Sequence, residues 1–222
     1  MQLLKVIGCM QLVLMGLHAE EKEAEEIFTT IYDTGYWGVN AEGIGYSGTG
    51  STVDQARPYM KFVQDFMAKN AIKSVVDVGC GDWTFARHMN WNGIDYIGYD
   101  VVQSVIERDK ERFATDNINF IFANAIETDL PSADLLICKD VLQHCNNDDI
   151  ASFLLQCPKF KHCLITNDVN PDTLSSQNFP TERGGCTHAV DLTQPPFNVE
   201  GVKVLTYQAG YNIKQVLHIQ ND

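Results

Sequence analysis

Residues 75–83 read Val75-Val76-Asp77-Val78-Gly79-Cys80-Gly81-Asp82-Trp83, and Asp100 follows nineteen residues after Gly81. An apolar, β-branched run ends in an acid and then a Gly-x-Gly turn. This spacing predicts a strand that leaves a sheet into a tight loop and opens a helix. Glycine is needed there because a ligand must approach the backbone closely and the chain must turn without a Cβ clash. Tyr96-Ile97-Gly98-Tyr99 predicts a second strand, and Asp100 at its end can accept hydrogen bonds from both hydroxyls of a ribose. The chain is therefore expected to bind an adenosine-containing cofactor.

The dinucleotide fingerprint Gly-x-Gly-x-x-Gly is incomplete, because its third position is Thr84. A carboxylate at Asp77 is awkward for a pyrophosphate. It suits the sulfonium and ammonium of S-adenosylmethionine, which carries no phosphate. At this point the chain resembles the class I S-adenosylmethionine-dependent methyltransferases. Asp77 to Asp82 is similar to their first motif, and Asp100 to their ribose acid. Phe120-Ile121-Phe122-Ala123-Asn124-Ala125 resembles their third strand and adenine turn, with Asn124 where many relatives have Asp. Ala133 to His144 resembles their fourth strand and the loop that follows it.

The resemblance implies an α/β fold. It would be a Rossmann-like, seven-stranded, mostly parallel sheet with helices on both faces and a C-terminal antiparallel hairpin. It also implies that Asp77, Gly79, Cys80, Gly81, Asp82, Asp100, Val101, Asn124, Ala125 and Lys139 surround the cofactor. Trp37 is added as part of a lid. Trp83 is either a pocket wall or a core residue. Lys139, Asp140 and His144 fall where acceptors dock. His144 is the best base candidate, since its unperturbed pKa lies nearest neutrality; its alternative is a hydrogen bond at a helix start. Asp140 can bond the cofactor ammonium or an acceptor amine. His188 with Asp191 is a further candidate base pair.

The remaining segments follow the same alternation. Strands are expected near Ser74–Val78, Tyr96–Tyr99, Asn119–Phe122, Asp134–Cys138 and His162–Thr166, with helices at Trp83–Met89, Val102–Phe113 and Asp148–Leu155. Val202–Gln208 and Tyr211–Ile219 read as a hairpin. Upstream, Glu20–Tyr32 predicts a helix with Ala24, Ile27, Phe28 and Ile31 on one face. The glycine-rich run Gly43–Ser51 predicts a ligand-wrapping loop, and a helix capped at Ser51 or Thr52 should run to Lys69. Asn167–Val199 is polar, holds four of the seven prolines, and reads as a substrate-facing loop.

Composition narrows the function. The 222 residues are 45% hydrophobic, which suffices for one full core. A formal charge of −13 disfavours nucleic acid. The seven cysteines have no zinc-site spacing, so no metal is expected. The fourth strand is not followed by the Asn/Asp-Pro-Pro-aromatic run of those family members that methylate base amines, so the resemblance implies a small-molecule acceptor ahead of a protein side chain. A pseudo-enzyme that only binds the cofactor is the alternative. Met1–Ala19 has the layout of a secretory signal peptide, so export is expected, with delivery to another cell's cytosol or a cytoplasmic location as further readings. The domain reading is a leader at 1–19, N-terminal helices with a lid at 20–70, and the methyltransferase domain at 71–222. Oligomeric state is not specified.

Overall fold

A computed structural model describes residues 24–171, 178 and 187–221. The leader read at 1–19 lies outside them. Seven strands form one sheet: β1 (Ser74–Val78), β2 (Asp95–Asp100), β3 (Ile118–Phe122), β4 (Ala133–Lys139), β5 (Phe160–Asp168), β6 (Val202–Ala209) and β7 (Asn212–Gln220). Their order is β3-β2-β1-β4-β5-β7-β6. The first five run parallel; β7 pairs antiparallel with both β5 and β6. This is the expected sheet with its terminal hairpin. Strand order reverses between β1 and β4, which opens a crevice at their carboxyl ends.

β1 and β4 are buried almost throughout because both faces are covered. Alternate residues serve opposite faces. Val75, Leu135 and Ile137 pack with Tyr59, Val63 and Met67 of α2 (Val53–Lys69). Val76, Leu136 and Cys138 pack with Ile150 and Phe153 of α4 (Asn147–Leu154). α3 (Gln103–Phe113) joins the first face through Ile106. Asn146 caps α4 by accepting from the Asp149 amide at 2.8 Å. The first helix, α1, covers 24–34. Among the described residues no helix is long and apolar enough to cross a membrane.

Two expectations are corrected. No α-helix forms over Trp83–Met89; there is a single 3-10 turn at Ala86–His88. Trp83 adopts a left-handed φ of 54°. That turns its indole into the core, stacked on Trp91 at 6.2 Å and against Tyr96 at 5.4 Å. Aromatic and β-branched residues also give this run weak helix propensity. The second correction concerns 167–199. Thr187 faces the crevice, but Val190 and Leu192 are buried against the second face of the sheet. They cover that face where a helix would otherwise be needed. Residues 172–177 and 179–186 of that segment lie outside the described ones.

Trp83 therefore contributes packing. Trp83→Ala should cost about 3–5 kcal/mol in denaturant unfolding, while the folded fraction keeps its ligand affinity. A large loss of affinity at unchanged stability would restore the pocket-wall role.

Candidate active site

One cavity of about 480 Å³ opens at the carboxyl ends of the parallel strands. Its floor is the glycine loop. Gly79 and Gly81 have φ of 68° and 57°. A Cβ on Gly79 would collide with Val141, and one on Gly81 with Ser47. The loop is thus held against both the β4 turn and the N-terminal segment, leaving its backbone bare toward the cavity.

Asp100 follows β2 and lines the cavity. Its Oδ2 accepts from the Gly81 amide and its Oδ1 from the Val102 amide, each at 3.0 Å. Burial raises its pKa to about 6, against the pull of those amides. Val101 and Ala125 line the same wall. Asn124 is placed there too. Its Oδ1 accepts from the Ile126 amide at 3.1 Å and its Nδ2 donates to Glu127 at 2.9 Å.

Asp77, Cys80, Asp82 and Trp83 do not line this cavity. Asp77 is buried behind the loop and accepts from Tyr96 Oη at 2.7 Å. Burial raises it to about 7, although Tyr96 and Lys139 pull it down. Cys80 packs against Gly98. Asp82 accepts from Ser47 Oγ at 2.7 Å, and Ser47 Oγ lies 2.7 Å from Tyr32 Oη. This chain of contacts fastens α1 and the glycine-rich segment to the loop. That segment, read as a lid, does line the cavity from Ser47 to Ser51, and Trp37 stands beside it.

The other end of the cavity is cationic. Asp140 follows β4 with a φ of 61°. Its Oδ2 lies 2.6 Å from Lys139 Nζ and its Oδ1 2.7 Å from Lys214 Nζ. Burial alone would raise Asp140; the two lysines outweigh it and hold the carboxyl below its ordinary value. Lys139 Nζ also donates to the Gly50 carbonyl at 3.3 Å, and Lys214 Nζ to Gln143 Oε1 at 3.1 Å. His144 lines the wall between Phe28 and Trp37, with ring centroids at 5.8 and 5.4 Å. Desolvation lowers its pKa to about 4, with Asp140 opposing and Lys214 and His188 adding to the effect. The imidazole is therefore neutral at neutral pH.

The expected His188–Asp191 base pair is corrected. Asp191 binds Lys203 at 2.8 Å and Thr193 Oγ1 at 2.7 Å, and the His188 amide donates to the Gln143 carbonyl. Lys214, Gln143, Tyr32 and Phe28 were not read as site residues. Lys214 carried one signal: it shares the alternation of Val216, so it sits on the inward-facing side of β7. Among the described residues no group of three or more His, Cys, Asp or Glu could hold a metal.

The buried carboxylates have a consequence for stability. Asp109 on α3 is raised to about 8 by burial, then by Asp82 and Asp100. Between pH 6.5 and 8 the folded chain keeps protons on Asp109 and Asp77 that the unfolded chain has released. Stability must fall as pH rises through that window. Below it, His144 acts in the opposite sense, because its unfolded imidazole takes a proton that the buried one refuses. We expect a loss on the order of 1–2 kcal/mol from pH 6.5 to 8, a few degrees in Tm. Asp109→Asn should flatten most of it; a wild-type profile flat over this range would refute the assignment.

Residues 75–160 match the family model described as a methyltransferase domain. No curated protein sequence matches the chain. Among solved structures, magnesium protoporphyrin IX methyltransferase from Synechocystis PCC 6803, with bound S-adenosylhomocysteine (SAH), is similar with a TM-score of 0.60. It is 13% identical, and the match covers 90% of this chain and 100% of that one. The DhpI–SAH complex has a TM-score of 0.59 at 12% identity, covering 92% and 98%. The N-methyltransferase NodS from Bradyrhizobium japonicum WM9, with S-adenosyl-L-homocysteine, has 0.58 at 12%, covering 77% and 88%. Identities this low speak to the fold. Together with the domain match over residues 75–160, they show that the chain is similar in fold to S-adenosylmethionine-dependent methyltransferases.

Proposed function

We propose that the chain transfers a methyl group from S-adenosylmethionine to a small-molecule acceptor. The observation that carries this reading is the distribution of charge around the glycine loop. Asp77, Asp82, Asp100 and Asp109 crowd it, and burial raises three of them. A pyrophosphate would add negative charge to that crowd. A sulfonium cofactor relieves it. This favours S-adenosylmethionine over a nicotinamide dinucleotide.

In this reading Asp100 accepts from the ribose hydroxyls and Asn124 with Ala125 meets the adenine. The bare backbone of Gly79 and Gly81 admits the methionine end. Asp140 and Lys139 take its ammonium and carboxylate. Asp77 stands behind the loop, where a nearby sulfonium would favour its ionised form. The cofactor supplies a methyl group already activated for displacement. The protein's task is then to hold the nucleophile in line and exclude water. Phe28, Trp37 and the Ser47–Ser51 segment line one wall of the cavity. His144, neutral and buried, can take a proton only from an acceptor that is acidic in place.

A small acceptor is favoured by the size of the cavity, whose volume falls within the usual range for small-ligand sites. The solved relatives include a magnesium protoporphyrin IX methyltransferase. Export through residues 1–19 belongs to this proposal and rests on the sequence; mature protein in the culture medium should begin at Glu20. Secreted protein that retains Met1 would contradict a cleaved leader.

Calorimetry of the purified chain should show micromolar binding of S-adenosylmethionine and SAH, and none of NAD. Asp100→Ala should weaken both ligands tenfold or more. Unchanged affinity in that variant would exclude the ribose role. Retention of NAD instead would overturn the cofactor assignment.

A further inference from the structure

We propose that the acceptor carries a carboxylate, and that Lys214 is the residue that recognises it. The proposal rests on the methyltransferase reading and names its substrate class. Lys214 belongs to β7, whereas the adenine turn follows β3, at the far side of the sheet. The lysine is therefore at the end of the cavity away from the adenosine. It is 2% exposed, yet it lines the cavity, beside Asn212 and Thr187.

An ammonium has three donors. Gln143 Oε1 accepts one of those on Lys214 at 3.1 Å, and Asp140 Oδ1 lies 2.7 Å away as an ion pair. Asp140 is shared with Lys139, which also acts on Asp77, so the one ion-pair partner of Lys214 is divided with a second buried cation. Asp168 is the cross-strand neighbour of Lys214, but its Oδ1 accepts from the Asn170 amide and it forms no ion pair with the lysine. A buried cation with half a counterion is unfavourable, and an anionic ligand relieves it. The bound cofactor sharpens the imbalance. Its sulfonium and ammonium outnumber its one carboxylate.

Asp140 and Asp149 in the same wall weigh against a doubly charged group such as a phosphomonoester. A singly charged carboxylate fits the remaining donor. Phe28, Trp37 and His144 present aromatic surface nearby for the acceptor's apolar body.

The test uses the full chain saturated with SAH. Acetate, hexanoate and benzoate are titrated beside acetamide, hexanamide and benzamide at constant ionic strength. At least one carboxylate should bind tenfold or more tightly than its amide. K214M should lose that preference while keeping its SAH affinity, and K214R should restore part of it. No preference in the wild type, or an undiminished preference in K214M, overturns the proposal. If K214M fails to fold, the wild-type comparison and K214R decide. Failure to bind SAH would instead defeat the methyltransferase reading; the carboxylate–amide comparison on cofactor-free protein then judges the Lys214 site alone.

Discussion

Everything at the mouth of the sheet is organised around one carboxylate held by two buried ammonium groups. Asp140 sits in a left-handed conformation immediately after β4, with its amide still donating to Thr166 of β5 at 2.8 Å. Its side chain is thereby turned into the crevice. Lys139 comes from β4 itself and reaches the Gly50 carbonyl; Lys214 comes from β7 and reaches Gln143. One ionic cluster thus ties the central strand, the N-terminal segment, the turn after β4 and the terminal hairpin. Removing one partner would leave a charge buried without compensation, which typically costs about 3–5 kcal/mol. Such a cluster need not stabilise the chain more than apolar side chains would. Its effect is to fix where four separate segments meet.

The glycine loop depends on that meeting. Val141, one residue beyond Asp140, packs where a Cβ on Gly79 would lie, and Ser47 packs where one on Gly81 would lie. The loop is therefore held from both sides. Tyr32, Ser47 and Asp82 form a hydrogen-bonded chain that carries the same restraint back to α1. A bare backbone facing a ligand is useful only if it cannot collapse, and these contacts prevent collapse without occupying the cavity.

Most of the fold was legible in the sequence because periodicity reports burial. Ser74–Val78 was read to the residue, and the hairpin and α2 to within a residue or two. Gly79, Gly81, Asp100 and Asn124 were legible because turn chemistry and spacing restrict what they can be. The direction in which each side chain points is a separate matter. Trp83 and Asp77 lie within the motif but face away from the cavity, and motif membership says nothing about side-chain direction. The spacing pairs His188 with Asp191, while the structure gives Asp191 a lysine twelve positions on, Lys203 at the start of β6. Lys214 shares the inward-facing alternation of Val216, but that pattern does not name its partners. Its burial follows from partners 71 and 74 positions away, at Gln143 and Asp140, which no local pattern encodes.

The two ends of the cavity are electrically opposite. Around the glycine loop and β2, carboxylates gather and are driven toward their protonated forms by burial. Around the ends of β4 and β7, lysines gather and hold Asp140 ionised. Neither arrangement is favourable alone: the first suppresses ionisation of its carboxylates, and the second brings two buried ammonium groups together. A ligand that places positive charge near the first and negative charge near the second relieves both at once. In the proposed reading, one end would draw the cofactor's cation and the other would hold an anionic acceptor against it. The cost of the apo charge distribution is then recovered on binding, so that the energy of assembly goes into alignment of the two reactants.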